Sequence, residues 1–308
     1  MSLLTGLLGA LGAFTIFYVG SWWRGASLVR ASADAPDNPA RPGLPAIGHV
    51  GLGFVTDFFD TLGIGSYAPT TAMFRAWKLT DDRVIPGTLN VGHTLPTVVQ
   101  TFIYTTIIPV DVPTLFSMIG ASVLGAWLGA GIVARWPRRT VQVGMAIALL
   151  VAAGLMFMTQ MKLFPGGGDA PGVTGIKLVV AVSVNFGLGA LMTLGIGLYA
   201  PCMILVSLLG MNPKAAFPIM MGSCAFLMPV GGMRFIRKQS YSPRAALGLA
   251  LGGVPGVLLA AYIVKELPLE TVRWLVIAVV IYTSVSMLWS AHVHKTSTAG
   301  EPLKAEAS

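Results

Sequence analysis

Long apolar runs separated by short charged loops make up most of the chain, and few of its segments alternate or carry a wet face. That is the pattern of helices buried in a bilayer rather than of amphipathic elements around a soluble core. A transmembrane helix needs roughly 20 mostly apolar residues. Seven runs approach that length: Leu3 to Gly20, Val84 to Ile108, Pro113 to Ala134, Thr140 to Met161, Ala215 to Phe235, Ala245 to Val264 and Val272 to Trp289. The first has the position of a signal peptide but no Lys or Arg at its amino end, and it runs into Trp22, Trp23 and Arg24. It reads as a retained span with interfacial anchors.

Two further stretches, Ile47 to Trp77 and Ile176 to Leu209, exceed one span, fall short of two, and carry Gly-x-Gly near the middle. Each is expected to enter the bilayer and return on the same side. Short cytoplasmic loops concentrate Lys and Arg. Arg135, Arg138 and Arg139 mark one such loop, and Arg234, Arg237, Lys238 and Arg244 another. Between them lie two full-length runs and the second interrupted stretch, so both loops share a face only if that stretch does not cross. It is therefore expected to be a re-entrant hairpin entered from outside. Arg24, Arg30 and Arg41 before the first stretch, with Arg75, Lys78 and Arg83 after it, place the first hairpin's opening inside. The amino terminus is then outside and the carboxyl terminus inside.

Composition agrees with this reading. Of 308 residues, 10% are charged and 55% hydrophobic, with a mean hydropathy of +0.76. A soluble domain has about 25% charged residues, so that class is excluded. The net charge of +8 is dispersed in loops between spans and forms no nucleic-acid-binding face. Thirty-seven glycines and 20 prolines point to interrupted helices. Cys202 and Cys224 both fall in apolar runs and suggest no disulfide framework.

Self-comparison yields the strongest signal. Thr61-Leu62-Gly63-Ile64-Gly65-Ser66-Tyr67-Ala68-Pro69 matches Thr193-Leu194-Gly195-Ile196-Gly197-Leu198-Tyr199-Ala200-Pro201 at eight of nine positions. The register extends to Phe54 over Phe186 and Pro86 over Pro218. After a one-residue slip it continues with Gly125 over Gly256, Pro137 over Pro268 and Thr140-Val141 over Thr271-Val272. Each copy holds one hairpin and three spans, an odd number, so the copies run oppositely through the bilayer. The expected fold is all-α: an inverted repeat of two halves, each a re-entrant broken-helix hairpin plus three transmembrane helices, with one extra amino-terminal span. The divisions are 1–23 (first span), 24–46 (Pro-rich cytoplasmic linker), 47–161 (first repeat), 162–175 (external Gly-rich loop), 176–290 (second repeat) and 291–308 (polar cytoplasmic tail). Paired, Gly/Pro-interrupted segments in matching positions point to a secondary transporter with its site near the midplane. The alternative is that the glycines only let helices approach closely. For Ala121, Gly125 and Gly129, and for Gly252, Gly256 and Ala260, packing is the favoured reading, whether between the two halves or between two protomers of a homodimer.

Irregular backbone at membrane depth leaves amide groups without helical partners. Pro69 and Pro201, just after the turns, suit the first position of a new half-helix. Such a terminus carries exposed donors and about half a positive charge, which favours a small anion. The candidate substrate-binding residues are Gly63, Gly65, Ser66, Tyr67, Thr70 and Thr71 at the first tip and Gly195, Gly197, Tyr199 and Cys202 at the second. Asn90, His93, Ser223 and Cys224 join them from the following spans. No Lys or Arg lies in the tips, so an anion is expected to be held by dipoles and hydroxyls.

Over roughly Ile47 to Trp289 the sequence resembles the TauE/SafE sulfite exporter family of bacterial membrane transporters, also called TSUP. The resemblance rests on Gly63-Ile64-Gly65 with Pro69, Gly195-Ile196-Gly197 with Pro201, and the small-polar segments Gly87-Thr88-Leu89-Asn90 and Gly222-Ser223. It implies export of sulfite, an organosulfonate such as sulfoacetate, or a related small anion across the bacterial inner membrane, with no cofactor and no metal.

Asp57 and Asp60 share one helical face just before the first tip, whereas the second copy has Gly189 and Met192 there. They read either as a proton site whose protonation admits the anion or as solvated carboxylates of a cytoplasmic vestibule. His93 reads as an anion ligand or a satisfied interior histidine; His292 and His294 fall in the polar tail. An enzyme is not expected, because His-Glu-x-x-His and Gly-x-Ser-x-Gly are both missing. A retinal-type receptor would need a lysine in the middle of the last span, and a purely structural membrane protein would not need two broken hairpins. Channel-like conduction of the same anion is the runner-up to transport.

Overall fold

The computed structural model describes residues 3–31, 44–81, 84–133, 168–192, 198–266 and 268–299, together with scattered positions between 143 and 161. Eleven helices follow in chain order: α1 (Leu3–Ala31), α2 (Ile47–Thr61), α3 (Tyr67–Ala76), α4 (Ile85–Gly92), α5 (Thr94–Ile107), α6 (Val112–Val133), α7 (Gly175–Met192), α8 (Tyr199–Leu208), α9 (Ala216–Arg237), α10 (Pro243–Glu266) and α11 (Leu269–Ala299). Among the described residues the only β pairing is an isolated bridge between Ala170 and Met211. The fold is all-helical. Among the described residues four helical segments are long and apolar enough to cross a membrane: Leu4–Ser27, Gly175–Met192, Pro213–Arg237 and Pro243–Ile263.

Large apolar side chains remain outside the core along these helices. Phe17 and Trp23 on α1, Trp127 on α6, Ile176 on α7, Leu258 and Tyr262 on α10 and Trp289 on α11 are all exposed. A soluble monomer rarely presents so much contiguous apolar surface, whereas a lipid-facing one must. The mostly apolar α1 and α11 also run further than their hydrophobic cores. Nothing between Ser21 and Ala31 stops a helix, and no glycine or proline precedes Gly300 in the last one. The first span therefore extends into the stretch read as linker, and the last into the stretch read as tail.

One expected span is two helices. Between Val84 and Ile108 the chain breaks at His93, a turn residue between α4 and α5. Pro96 has no N–H to offer the Gly92 carbonyl, so the ladder is interrupted one turn before it. The first Gly-x-Gly stretch is interrupted as expected, α2 ending at Thr61 and α3 beginning at Tyr67; in the second, α7 ends at Met192 and α8 begins at Tyr199, with its glycines outside the described residues. At 15 and 10 residues, α2 and α3 span about 22 and 15 Å, the latter half a bilayer core. Of the expected elements, most of the Thr140 to Met161 span and residues 32–43, 162–167, 193–197 and 300–308 lie outside the described residues.

Packing joins the halves by exchange. Helix α2, from the first half, packs along α10 of the second; α7, from the second half, packs along α6 of the first; α5 and α9 pair between them. The contacts correspond residue by residue. Gly125 of α6 sits so close to α7 that a Cβ would strike the Phe186 carbonyl, and its counterpart Gly256 sits likewise against the carbonyl of Phe54, the counterpart of Phe186. Asn185 Nδ2 donates to the Met118 carbonyl at 2.7 Å, and at the equivalent crossing Gly53 abuts the backbone of Leu249. Gly189 faces the Ser122 carbonyl, while at the matching place Gly253 faces the Asp57 carboxylate. The small-residue stripes thus pack one half against the other.

Helix α1 is seated on this frame. Its Tyr18 hydroxyl donates to the Val91 carbonyl at 3.2 Å, and its ring lies against Gly232 of α9.

Candidate functional site

The first hairpin turn is built by glycine. Gly63 and Gly65 have φ of +95° and +88°, a region that costs glycine nothing and strains other residues. Gly63 also has Met203 of α8 directly against it, so the first tip rests on the returning helix of the second hairpin. The half-helices begin alike, with Thr70 N–H donating to the Ser66 carbonyl and Cys202 N–H to the Leu198 carbonyl, both at 3.0 Å. They start two residues earlier than the prolines suggest. Pro69 and Pro201 occupy the third position rather than the first, which is equally free because the whole first turn lacks intrahelical acceptors for its N–H groups.

A buried polar cluster fills the space beside this turn. Asp57 and Asp60 are both buried, 0% and 2% exposed. The Asp60 carboxylate accepts from Ser66 N–H at 2.6 Å, from Gln100 Nε2 at 2.9 Å and from the Tyr199 hydroxyl at 3.2 Å. Gln100 Nε2 also reaches Thr61 Oγ1 at 2.9 Å, and the Tyr104 hydroxyl donates to the Thr61 carbonyl at 3.2 Å. Asp57 pairs with His93, whose Nδ1 lies 2.9 and 3.0 Å from the two carboxylate oxygens. His93 Nε2 meets Thr70 Oγ1 at 3.1 Å, and Thr70 Oγ1 also bonds the Ser66 carbonyl at 2.7 Å. Thr70 has one proton for these two acceptor positions. Either it donates to Ser66 and accepts from an Nε2–H of His93, the ring then being doubly protonated or neutral beside a protonated Asp57, or it donates to an unprotonated Nε2 and leaves the carbonyl.

His93 sits at the junction of α4 and α5, its N–H donating to the Leu89 carbonyl and its own carbonyl accepting from Thr97 N–H, both at 3.0 Å. Along α5, Thr97, Thr101 and Thr105 each bond the carbonyl four residues earlier, so hydroxyls are satisfied without leaving the helix. Tyr67 stacks obliquely near His93, ring centroids 5.9 Å apart, and its buried hydroxyl has no partner; neither has Gln100 Oε1.

Placement of the candidate residues is uneven. Ser66, Tyr67, Thr70, His93 and Tyr199 converge with Asp57 and Asp60, so the two hairpins touch across one hydrogen bond, Tyr199 to Asp60. Both nitrogens of His93 are engaged, as in a satisfied interior histidine. Thr71 is half-buried outside the described bonds of the cluster. Asn90 turns instead toward Gly231 on α9, and the Ser223 hydroxyl is spent on the Ile219 carbonyl of its own helix. Cys202 and Cys224 are free buried thiols, the latter 3.8 Å from Met192 Sδ. Gly195 and Gly197 lie outside the described residues. Gln100, Thr61 and Tyr104 were not among the candidates. An amide inside an apolar run is the signal Gln100 shares with Asn90, one turn and more ahead of it in the same run.

The polarity is one-sided. Where the first half has Asp60, Ser66, Thr70, His93 and Gln100, the second has Met192, Leu198, Cys202, Ala225 and Gly232. Most of the cluster's hydrogen-bonding side chains thus come from the first copy, the second contributing the Tyr199 hydroxyl.

No curated protein and no solved structure matches the chain significantly. The family model described as Sulfite exporter TauE/SafE matches residues 176–306, which begins where the second repeat begins. Over those residues the chain is similar to that family, and it carries helices able to cross a bilayer.

Proposed function

We propose that the chain exports a small sulfur-containing oxyanion, namely sulfite, sulfoacetate or another organosulfonate, by alternating access around the two hairpin tips. The proposed architecture is seven spans and two re-entrant hairpins in an inverted repeat, in the bacterial inner membrane, with the amino terminus outside and the carboxyl terminus inside. The observation that carries the reading is the Tyr199 to Asp60 bond, which brings both interrupted segments to one buried point. Broken helices that meet at a shared centre are where secondary transporters bind their substrates.

Export needs no coupling ion. With the cytoplasm about 100 mV negative, one leaving monovalent anion gains about 2.3 kcal/mol, enough for roughly fiftyfold accumulation outside. A proton-coupled carrier is the second reading, and the wholly buried Asp57–His93 pair favours it. Counterflow in proteoliposomes loaded with sulfite, sulfoacetate, taurine, sulfate or chloride tests the proposal. A carrier accumulates label against unlabelled substrate for the sulfur oxyanions and not for chloride. Dissipation without counterflow would mean a channel, and no flux of any sulfur oxyanion would refute the substrate class.

A further inference from the structure

We propose that Asp60 is a resident occupant of the oxyanion site and that a transported anion binds by taking over its donors, with Asp60 accepting one proton as it lets go. This rests on the oxyanion reading above and assigns the means by which the site is filled and emptied. Three donors converge on the Asp60 carboxylate from three separate segments: a backbone N–H at a half-helix start, the Gln100 amide of α5 and the Tyr199 hydroxyl of α8. All are neutral, and each suits a delocalised oxyanion as well as it suits a carboxylate. The positive end of α3, where an external anion would sit, is already answered from within the chain.

The wall of the site has spare capacity. The Tyr67 hydroxyl, first residue of α3, and Gln100 Oε1 are both buried without partners among the described residues, and Gln100 is wholly buried. Asp60 alone does not use them. A larger oxyanion at the same donors brings an oxygen for Tyr67 to donate to, and a neutral Asp60 brings a proton donor that Gln100 Oε1 accepts. Two anions cannot share these donors at contact distance in a dry interior, so substrate and carboxylate exclude one another. The titratable groups facing Asp60 are Asp57 on α2, Tyr67 on α3, His93 between α4 and α5, Tyr104 on α5, Tyr199 on α8 and Cys224 on α9. Of these only His93 can be cationic, and it is held by Asp57. The proton that frees the site therefore has to reach Asp60 itself, from the water on the open side.

The test is binding of methanesulfonate, whose own charge is constant between pH 5 and 8, to the full chain in lipid nanodiscs. Wild type is expected to bind more tightly as pH falls, by up to about tenfold per unit, the limit for one linked proton. Asp60→Asn is expected to bind independently of pH and at least as tightly as wild type at pH 5, since Asn can accept from Ser66 N–H and donate to Gln100 Oε1. A wild-type profile that is flat overturns the proposal even if the variant does not accumulate, and so does an Asp60→Asn protein that keeps the wild-type slope. Failure of wild type to bind methanesulfonate or sulfite at any pH overturns the oxyanion reading itself, and this proposal with it.

Discussion

Gly256→Ala probes the exchanged packing directly. The new methyl group would land on the Phe54 carbonyl of α2, and a backbone atom cannot swing aside as a side chain can, so α2 and α10 must separate. Adding volume at a close-packed crossing costs about 1 to 3 kcal/mol, and this contact is at the upper end. Alanine recovers up to about 1 kcal/mol of helix propensity over glycine. The expected net loss is about 2 kcal/mol. Gly125→Ala meets the Phe186 carbonyl at the corresponding crossing and is expected to lose at least as much. The crossings are separate, so the double variant should lose roughly the sum, about 4 kcal/mol. Gly120→Ala and Gly51→Ala are the controls, because nothing lies within 4 Å of a Cβ at either. Reversible unfolding in mixed micelles measures all five proteins. Losses at Gly125 and Gly256 no larger than at the controls would refute the exchange of partners between halves. Transport adds a second reading. Helix α2 carries Asp57 and Asp60, so at equal abundance Gly256→Ala should impair flux more than Gly125→Ala.

Two further outcomes are expected. Single cysteines at Gly167 and Asn212, in a background lacking Cys202 and Cys224, should both label from outside; labelling of the Asn212 site only from inside would sink the inverted topology. Tyr199→Phe should weaken anion binding by about 1 to 3 kcal/mol, the worth of a hydrogen bond to a charged group, and should also destabilise the empty protein because Asp60 loses a donor. Tyr67→Phe should weaken binding while leaving stability within about 0.5 kcal/mol, since its hydroxyl has no partner to lose; equal effects of the two substitutions on stability would contradict their different roles.

The interruption after Thr61 and the half-helix starts at Tyr67 and Tyr199 were legible because backbone requirements write themselves into sequence. A turn that needs positive φ takes glycine, a half-helix start tolerates proline, and both recur in the two copies. The split at His93 was hidden for the opposite reason. An apolar run reads the same whether or not a proline has opened its hydrogen-bond ladder, and Pro96 looks no different from Pro229, which lies inside the unbroken α9. Burial of Asp57 and Asp60 was not legible either. Their neighbours along α2 are Phe54, Phe58 and Phe59, and Phe54 and Phe59 are exposed. Position within the helix therefore could not tell a carboxylate facing water from one facing α10 and α5. Gln100 was missed because attention to charge passes over an amide, although a buried amide supplies two donors for holding a buried carboxylate.

The eight-of-nine match between the tips suggests two equal half-sites, and the side chains refute that equality. What the two halves share in backbone is the half-helix starts and the crossings at Gly125 and Gly256. What they do not share is charge, because Met192 stands where Asp60 does and Ala225 where His93 does. On the proposed inverted topology, transport exchanges the conformations of the halves, which the matched crossings allow sterically. The exchange is not isoenergetic. Only the first half can hold a carboxylate on its own half-helix end, so without substrate the arrangement with Asp60 bonded to Ser66, Gln100 and Tyr199 is preferred. An arriving anion weakens that preference by competing for the same donors. Symmetry of the scaffold thus supplies the two states, and its breaking at Asp60 makes their balance depend on the anion.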